Sequence, residues 1–156
     1  MPNEIVDLVN DVLCAAPGLA KIKDWNKANG LVTVAAPGCS IGLEKDDYAE
    51  YTREKDEAIA FLSILFWIKN VDPASGEAQV RALAQEARQV LIDNRTLSGA
   101  AANSYVHGIR YTTAEGGKSL ILHLAEMDYR VKYYSSRIRP ETPAPIEQIN
   151  NQVSGE

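Results

Sequence analysis

The apolar positions of the chain repeat with two different periods. Near the N-terminus they recur at helical spacing, which predicts an amphipathic helix at about 4–15, stopped by Pro17-Gly18. A second apolar stripe predicts a longer helix over 74–93, with Pro73 suited to its first turn. The members of this stripe are Val80, Leu83, Ala84, Ala87, Val90 and Leu91. Between these two stretches the helical period is lost.

The segment Ala58–Ile68 reads AIAFLSILFWI and is apolar at nearly every position. A buried helix also gives such a run, but the aromatic and β-branched residues, and the Asn70-Val-Asp-Pro turn after it, favour a strand. Since an antiparallel sheet usually exposes one face to solvent, a strand that is apolar on both faces needs a cover on each. We expect the 74–93 helix to cover one face and a neighbouring subunit to cover the other.

The stretches before this segment are less regular. Residues 19–23 alternate apolar and polar, residues 31–34 are mostly β-branched, and the two stretches predict two short strands. Residues 37–43 mix glycine with small side chains and are compatible with a strand or a loop. Residues 44–57 are rich in charged side chains, which predicts a solvated connection or a helical turn.

The C-terminal third predicts a hairpin followed by a polar tail. Residues 105–113 and 119–134 read as two strands, joined by a glycine-containing turn. Beyond them the chain is proline-rich and has too few apolar residues to build a core. The expected fold is α+β: an antiparallel or mixed sheet packed by an N-terminal helix and a longer central helix, with a closing β-hairpin. We expect a single domain over 1–136 and an extended or disordered arm over 137–156.

The composition of the chain narrows the classes of molecule that it is expected to bind. The 156 residues carry a net charge of −5, and this excess of acids gives no electrostatic reason to bind the phosphates of nucleic acids. The N-terminus lacks the basic start of a secretory signal, and the longest apolar run is too short to span a bilayer. We therefore expect neither nucleic-acid nor membrane binding. Two cysteines, Cys14 and Cys39, fit synthesis in a reducing cytosol.

Metal and phosphate sites find little support. The residues Cys14, Cys39, His107 and His123 have the count of a zinc site, but none of them is paired at the spacing of a local zinc module. We expect His107 and His123 to face each other across the hairpin as a partly exposed pair. The acidic 44–57 segment lacks the order of a calcium loop. We expect no metal site and no cofactor.

The segment Gly117-Lys118-Ser119 mimics the end of a phosphate-binding loop. Thr112 stands where that motif needs its first glycine, and the segment joins two strands instead of opening a helix. A hairpin turn is the better interpretation. No serine lies in a G-x-S-x-G sequence, and no cysteine or serine has a nearby histidine as its base. We therefore expect no catalytic residue and no enzyme activity.

Apolar and aromatic side chains are the candidates for a protein–protein interface. On strands such residues are more often core or cross-strand packing, and this holds most strongly for Trp67. Tyr134 is a further tyrosine that can lie at the surface. As a hypothesis, the subunit interface contains Phe61, Leu65, Trp67, Tyr48 and Tyr51.

Over residues 1–134 the chain resembles bacteriophage tail terminator proteins, the subunits that close the head-proximal end of a long tail tube. The resemblance is carried by the element order and by four segments. These are EIVDLVNDVL, AIAFLSILFWIKN, QVRALAQEARQVLIDN and VHGIRYTTAEGGKSLILHLAEMDYRVKYY. These segments are patterns of apolar and polar residues and not diagnostic motifs. The chain departs from the family in its charged 44–57 segment and in the tail after residue 137.

The resemblance implies a structural protein of the virion, without cofactor or catalytic residues. Such proteins form hexameric rings that cap the tail-tube protein, stop its polymerisation and offer a docking surface to the head–tail connector protein. The implied location is the head-proximal end of the tail, after assembly in the host bacterial cytoplasm. The alternatives are another virion neck or tail-completion subunit, or a small ligand-binding domain or enzyme without a local motif.

Overall fold

A computed structural model describes residues 2–30, 36–115 and 121–137 of the chain. In order, the elements are helix α1 (Pro2–Cys14), a 3-10 turn (Pro17–Leu19), strands β1 (Asp24–Asn26), β2 (Gly38–Glu50) and β3 (Lys55–Lys69), helix α2 (Pro73–Asp93), and strands β4 (Asn103–Glu115) and β5 (Ile121–Ser136). The predicted α+β fold is confirmed. The two helices and the closing pair of strands lie where the apolar periods placed them.

The five strands form one mixed sheet in the order β1-β2-β3-β5-β4. The short strand β1 is parallel to β2, and all other neighbours are antiparallel. Strand β3 lies at the centre, since it pairs with β2 on one side and β5 on the other. The strand predicted at Ala58–Ile68 is therefore confirmed, and it extends to Lys55–Lys69.

Both helices pack on one face of this sheet. Successive side chains of a strand point to opposite faces. In β3 the set that includes Leu62, Ile64 and Phe66 is buried with Val80 and Leu83 of α2 in the core. Full burial of each large apolar side chain contributes roughly 1.5–3 kcal/mol. The expectation that the central helix covers one face of this strand is confirmed.

The strand predicted at 19–23 is wrong. Residues 17–19 form a 3-10 turn, and the next strand begins only at Asp24. Leu19 and Ile22 are both buried, because a turn brings residues three positions apart to the same side. The alternation there reflected a turn and not a pleat. The strand predicted at 31–34 lies outside the described residues.

The solvated connection or helical turn predicted at 44–57 is also wrong. Residues up to Glu50 continue β2, and β3 begins at Lys55, so only 51–54 form the turn. The backbone amides of Tyr51 and Thr52 both donate to the carbonyl oxygen of Lys55, at 3.2 and 2.9 Å. Most side chains of 44–55 are exposed, as their charge requires, but backbone pairing with β3 keeps the chain extended. We call this end of the β2–β3 pair, residues 44–57, the hairpin tip.

The outer edge of β2 is covered at its beginning. Strand β1 pairs with residues 38–40. Beyond it, the hydroxyl of Ser40 donates to the carbonyl oxygen of Ala28, and Nδ2 of Asn29 donates to the carbonyl oxygen of Leu43 at 3.0 Å. A Cβ at Gly42 would overlap Asn29, so glycine is required for this close approach.

Several predicted features fall outside the described ranges. The Gly117-Lys118-Ser119 turn lies in 116–120, and nearly all of the predicted 137–156 arm lies in 138–156. The division into a domain over 1–136 and an arm stays a prediction. In the described part of the chain, neither helix combines the length and the apolar character needed to cross a membrane.

Candidate functional site

The face of the sheet that the helices leave uncovered carries a row of apolar side chains. We call it the open face. In β3 it contains Ile59, Phe61 and Leu65, with Ser63 between the last two, and all four side chains are half-buried. Their partners across the sheet are mostly charged: Lys132 lies opposite Ile59, and Glu126 lies opposite Leu65. The open face is thus an apolar stripe with charged borders.

Phe61 lies between two cations at the centre of this stripe. Lys45 Nζ lies 4.4 Å from the centre of its ring, and the Arg130 guanidinium carbon lies 4.8 Å from it. Each such cation–π contact contributes roughly 0.5–1 kcal/mol at an exposed site. The cations also pair with Asp47 at 3.3 Å and Asp128 at 3.2 Å. The charged groups of Lys45 and Arg130 therefore lie over the aromatic ring and partly shield it.

Trp67 belongs to the open-face set of β3 but is fully buried in the single chain. Its indole packs against Gly38, where a Cβ would overlap the six-membered ring. With no exposed area, this side chain has no surface to offer a second subunit. The interface predicted from sequence therefore rests on Phe61, Leu65, Tyr48 and Tyr51, and it stays a prediction.

Exposed tyrosines lie at the hairpin tip and at the neighbouring end of β5. Tyr48 is 55% exposed, Tyr51 58% and Tyr134 39%, and the rings of Tyr51 and Tyr134 lie 4.7 Å apart. Behind them, the Tyr133 hydroxyl donates to Oδ1 of Asp46 at 3.2 Å. Burial raises the pKa of Tyr133, and its hydrogen bond with Tyr48 raises it further. The two tyrosines of the predicted interface thus lie at the same end of the sheet but on opposite faces, because Tyr48 pairs with the buried Ala58 and Tyr51 packs on Tyr134 of the open face.

The four residues considered for zinc do not form a site. Cys14 is exposed and Cys39 is buried. His107 is exposed on β4, whereas His123 is fully buried with Nε2 3.0 Å from the Asn70 carbonyl oxygen. Across residues 2–30, 36–115 and 121–137, no group of three or more His, Cys, Asp or Glu side chains can hold a metal ion.

The predicted pairing of His107 with His123 across the hairpin is wrong. The partner of His123 in β4 is Thr113, and a β-bulge lies between Val106 and Gly108, so His107 has no direct partner. The reason is register, since the bulge and the turn length decide which residues face each other. The sequence does not specify either of them.

One feature escaped the sequence analysis entirely. The last turns of α2 and the start of β4 enclose a pocket of about 220 Å³. Two arginines and one buried tyrosine are among its lining residues, which include Arg88, Ile92, Arg95, Ser104, Val106 and Tyr129. These residues come from α2, β4, β5 and a loop, so no local motif announces the pocket. Only the packing of α2 across β4 and β5 brings them together.

The likeness of this chain to known proteins lies among solved structures. No protein-family model matches the chain, and no curated protein is similar to it. Among solved structures, the chain is similar to a chain from the virion of a native gene transfer agent particle. The TM-score is 0.46 with 15% sequence identity, over 84% of this chain and 95% of the other.

Proposed function

We propose that this chain is a structural subunit of a phage-type virion, a tail terminator that closes the tail tube as a ring. The open face is the observation that carries the proposal. A sheet with helices on one face and an apolar stripe on the other gains stability when a second surface covers the stripe. The resemblance of residues 1–134 to tail terminators supports the same interpretation.

A second copy of the chain suits the charges of the open face. Lys45 and Asp47 carry opposite charges on β2, and the open face of β5 carries Glu126 and Asp128 followed by Arg130 and Lys132. A border with both signs can be matched by another copy of itself, with its negative half against the positive half of the neighbour, without a single-signed partner. The ring interface is therefore proposed to run over Phe61 and Leu65.

The hairpin tip is proposed to contact the other components of the tail. Tyrosine is enriched in protein interfaces because it supplies a large rigid contact area with a polar end. Tyr51 and Tyr134 are exposed with their rings 4.7 Å apart, and Tyr48 is exposed on the other face of the sheet, where it pairs with the buried Ala58. In this proposal they face the tail-tube protein or the head connector.

The proposal is tested by measuring the mass of the protein in solution by light scattering, alone and with the tail-tube protein of the same virion. We expect a ring-sized species, either at high protein concentration or once tubes are added. Leu65→Lys should abolish the ring, because it places a charge in the apolar stripe. It should fold, since Glu126 lies directly opposite on β5.

The matched control is Gln85→Lys, which adds the same charge on the exposed surface of α2. It should assemble as the unmodified chain does. A monomer under both conditions, or a Leu65→Lys variant that still forms rings, would show that the open face is not the ring interface.

A further inference from the structure

The pocket between α2 and β4 has the features of a small binding site. Its volume of about 220 Å³ is below the roughly 300–1,000 Å³ of pockets that hold cofactors or drug-sized molecules. Leu91, Ile92 and Val106 form apolar walls, and two arginines also line it. It therefore fits a short apolar group with a polar end.

The two arginines of the pocket carry positive charges that no described acidic side chain neutralises. Neither Arg88 nor Arg95 forms an ion pair with a described residue, although the chain has 21 acidic and only 16 basic residues. Arg95 donates from Nε to Oδ1 of Asn103 at 3.2 Å, which fixes the direction of its guanidinium. Two unpaired guanidiniums beside an apolar pocket favour an anionic ligand.

A buried hydroxyl provides a third polar group. Tyr129 lines the pocket and has no solvent-exposed surface, and its hydroxyl makes no hydrogen bond with a described residue. The neighbouring Ser104 hydroxyl donates elsewhere, to the Arg95 carbonyl oxygen at 2.8 Å. A buried hydroxyl without a partner is unfavourable, so a ligand that accepts its hydrogen bond recovers stability.

We propose that this pocket binds a carboxylate on a short apolar stem, the chemistry of a glutamate side chain presented by a partner protein. The stem would lie against Leu91, Ile92 and Val106. The carboxylate would accept hydrogen bonds from Arg88, Arg95 and Tyr129. A bulkier anion such as a nucleotide exceeds the volume, and a bare inorganic anion leaves the apolar walls unfilled. This inference does not depend on the proposed ring.

The test titrates the isotope-labelled chain with pentanoate and follows its backbone amides by NMR. Pentanoate carries a carboxylate on a four-carbon chain, and pentanamide is the matched uncharged probe. We expect saturable shifts of the pocket-lining amides, with a Kd of about 1 mM, as suits so small a ligand. Pentanamide should bind at least about tenfold more weakly, because hydrogen bonds to charged groups are the stronger ones.

Variants locate the site. Arg88→Gln and Arg95→Gln should each weaken pentanoate binding about tenfold, and Tyr129→Phe several-fold. Arg81→Gln is the control, since Arg81 lies on the same helix but over the Tyr111 ring, at 5.9 Å, and outside the pocket. The amide spectrum itself shows that each variant is folded.

Three outcomes would overturn the inference. They are an absence of pentanoate binding, equal binding of pentanoate and pentanamide, and an Arg81→Gln variant that loses as much affinity as Arg95→Gln. The last would mean that the net charge of the surface, and not this pocket, attracts the anion.

Discussion

Two buried rings pack directly on glycines, the Trp67 indole on Gly38 and the His123 imidazole on Gly76. Each contact joins two elements: β3 to β2 in the first case, and β5 to α2 in the second. At Gly76 the helix approaches the sheet closely, and at Gly38 the neighbouring strand leaves room for the indole, because the glycine has no side chain. In the sequence, both glycines look like ordinary small residues, so these contacts could not be predicted.

We predict that Gly76→Ala destabilises the chain even though alanine favours a helix by about 1 kcal/mol over glycine. The new Cβ would overlap the His123 ring, and overpacking a well-packed core costs about 1–3 kcal/mol. Urea unfolding should show a net loss of up to about 2 kcal/mol.

The control for this prediction is the double variant Gly76→Ala/His123→Ala. Starting from His123→Ala, adding Gly76→Ala should stabilise the chain, because no ring is left to overlap. A Gly76→Ala variant as stable as the unmodified chain would mean that the His123 ring moves aside at little cost.

The burial of Tyr129 predicts that the stability of the folded chain depends on pH. Burial raises its pKa from 10.0 to about 12. The folded chain then holds this proton more tightly than the unfolded chain, so stability is lost as the pH rises from about 10 to about 12. Below that window Tyr129 is protonated in both states and adds no slope.

The measurement is the free energy of unfolding in urea at several pH values, for the unmodified chain and for Tyr129→Phe. Between pH values of about 10 and 12 the variant should lose stability less steeply. Equal slopes would show that the Tyr129 hydroxyl is accessible to water in the folded state. Tyr133 is present in both proteins and does not affect the comparison.

Among the elements, those with a strong apolar period were predictable. The stripe of α2 and the alternation of β3 are produced by burial against a partner, and burial leaves a period in the sequence. The predictions for residues 19–23 and 44–57 were wrong, because a local turn sets the structure of the first segment and backbone pairing sets that of the second. An exposed strand carries no apolar signal, so the hairpin tip looked like a solvated connection.

The two faces of β3 predict opposite effects for adjacent substitutions. Leu62→Asp buries an unpaired charge among the core residues beneath the helices, at a cost of about 3–5 kcal/mol, and should prevent folding. Phe61→Asp places its carboxylate between Lys45 and Arg130 on the open face and should remain folded. It should lose the proposed ring.

Circular dichroism and light scattering together separate the two effects. Folded, monomeric Phe61→Asp and unfolded Leu62→Asp are the expected pair. If Phe61→Asp also unfolds, the open face is part of the folding core of a single chain and not an interface.

Unlike the two faces, the pocket beneath α2 had no sequence signal, since its parts lie on separate elements.

For the whole molecule, the sequence predicted a domain ending near residue 136. Arg137, the last described residue, bonds through its backbone amide to the Glu54 carbonyl oxygen at 2.7 Å and through Nε to Asp56 at 2.8 Å. These contacts anchor the end of β5 on the hairpin tip. The tail that follows has the composition of a segment that builds no core.

We predict that a chain ending after Arg137 folds with a Tm within about 2 °C of the full chain, as expected when no buried contact is removed. The measurement is thermal unfolding followed by circular dichroism. A large fall in Tm would place residues 138–156 in the core, against the predicted boundary. Light scattering on the same variant shows whether the tail contributes to assembly.

The covered beginning of the β2 edge has a consequence for how the protein behaves when it accumulates. A bare strand edge offers unpaired carbonyl and amide groups to any extended chain nearby, and that is a common start of fibril growth. Here β1 takes the first positions and the Asn29 amide occupies the Leu43 carbonyl oxygen, so the chain blocks this part of the edge with its own backbone and side chain. A protein made in many copies can thus reach high concentrations without seeding fibres there.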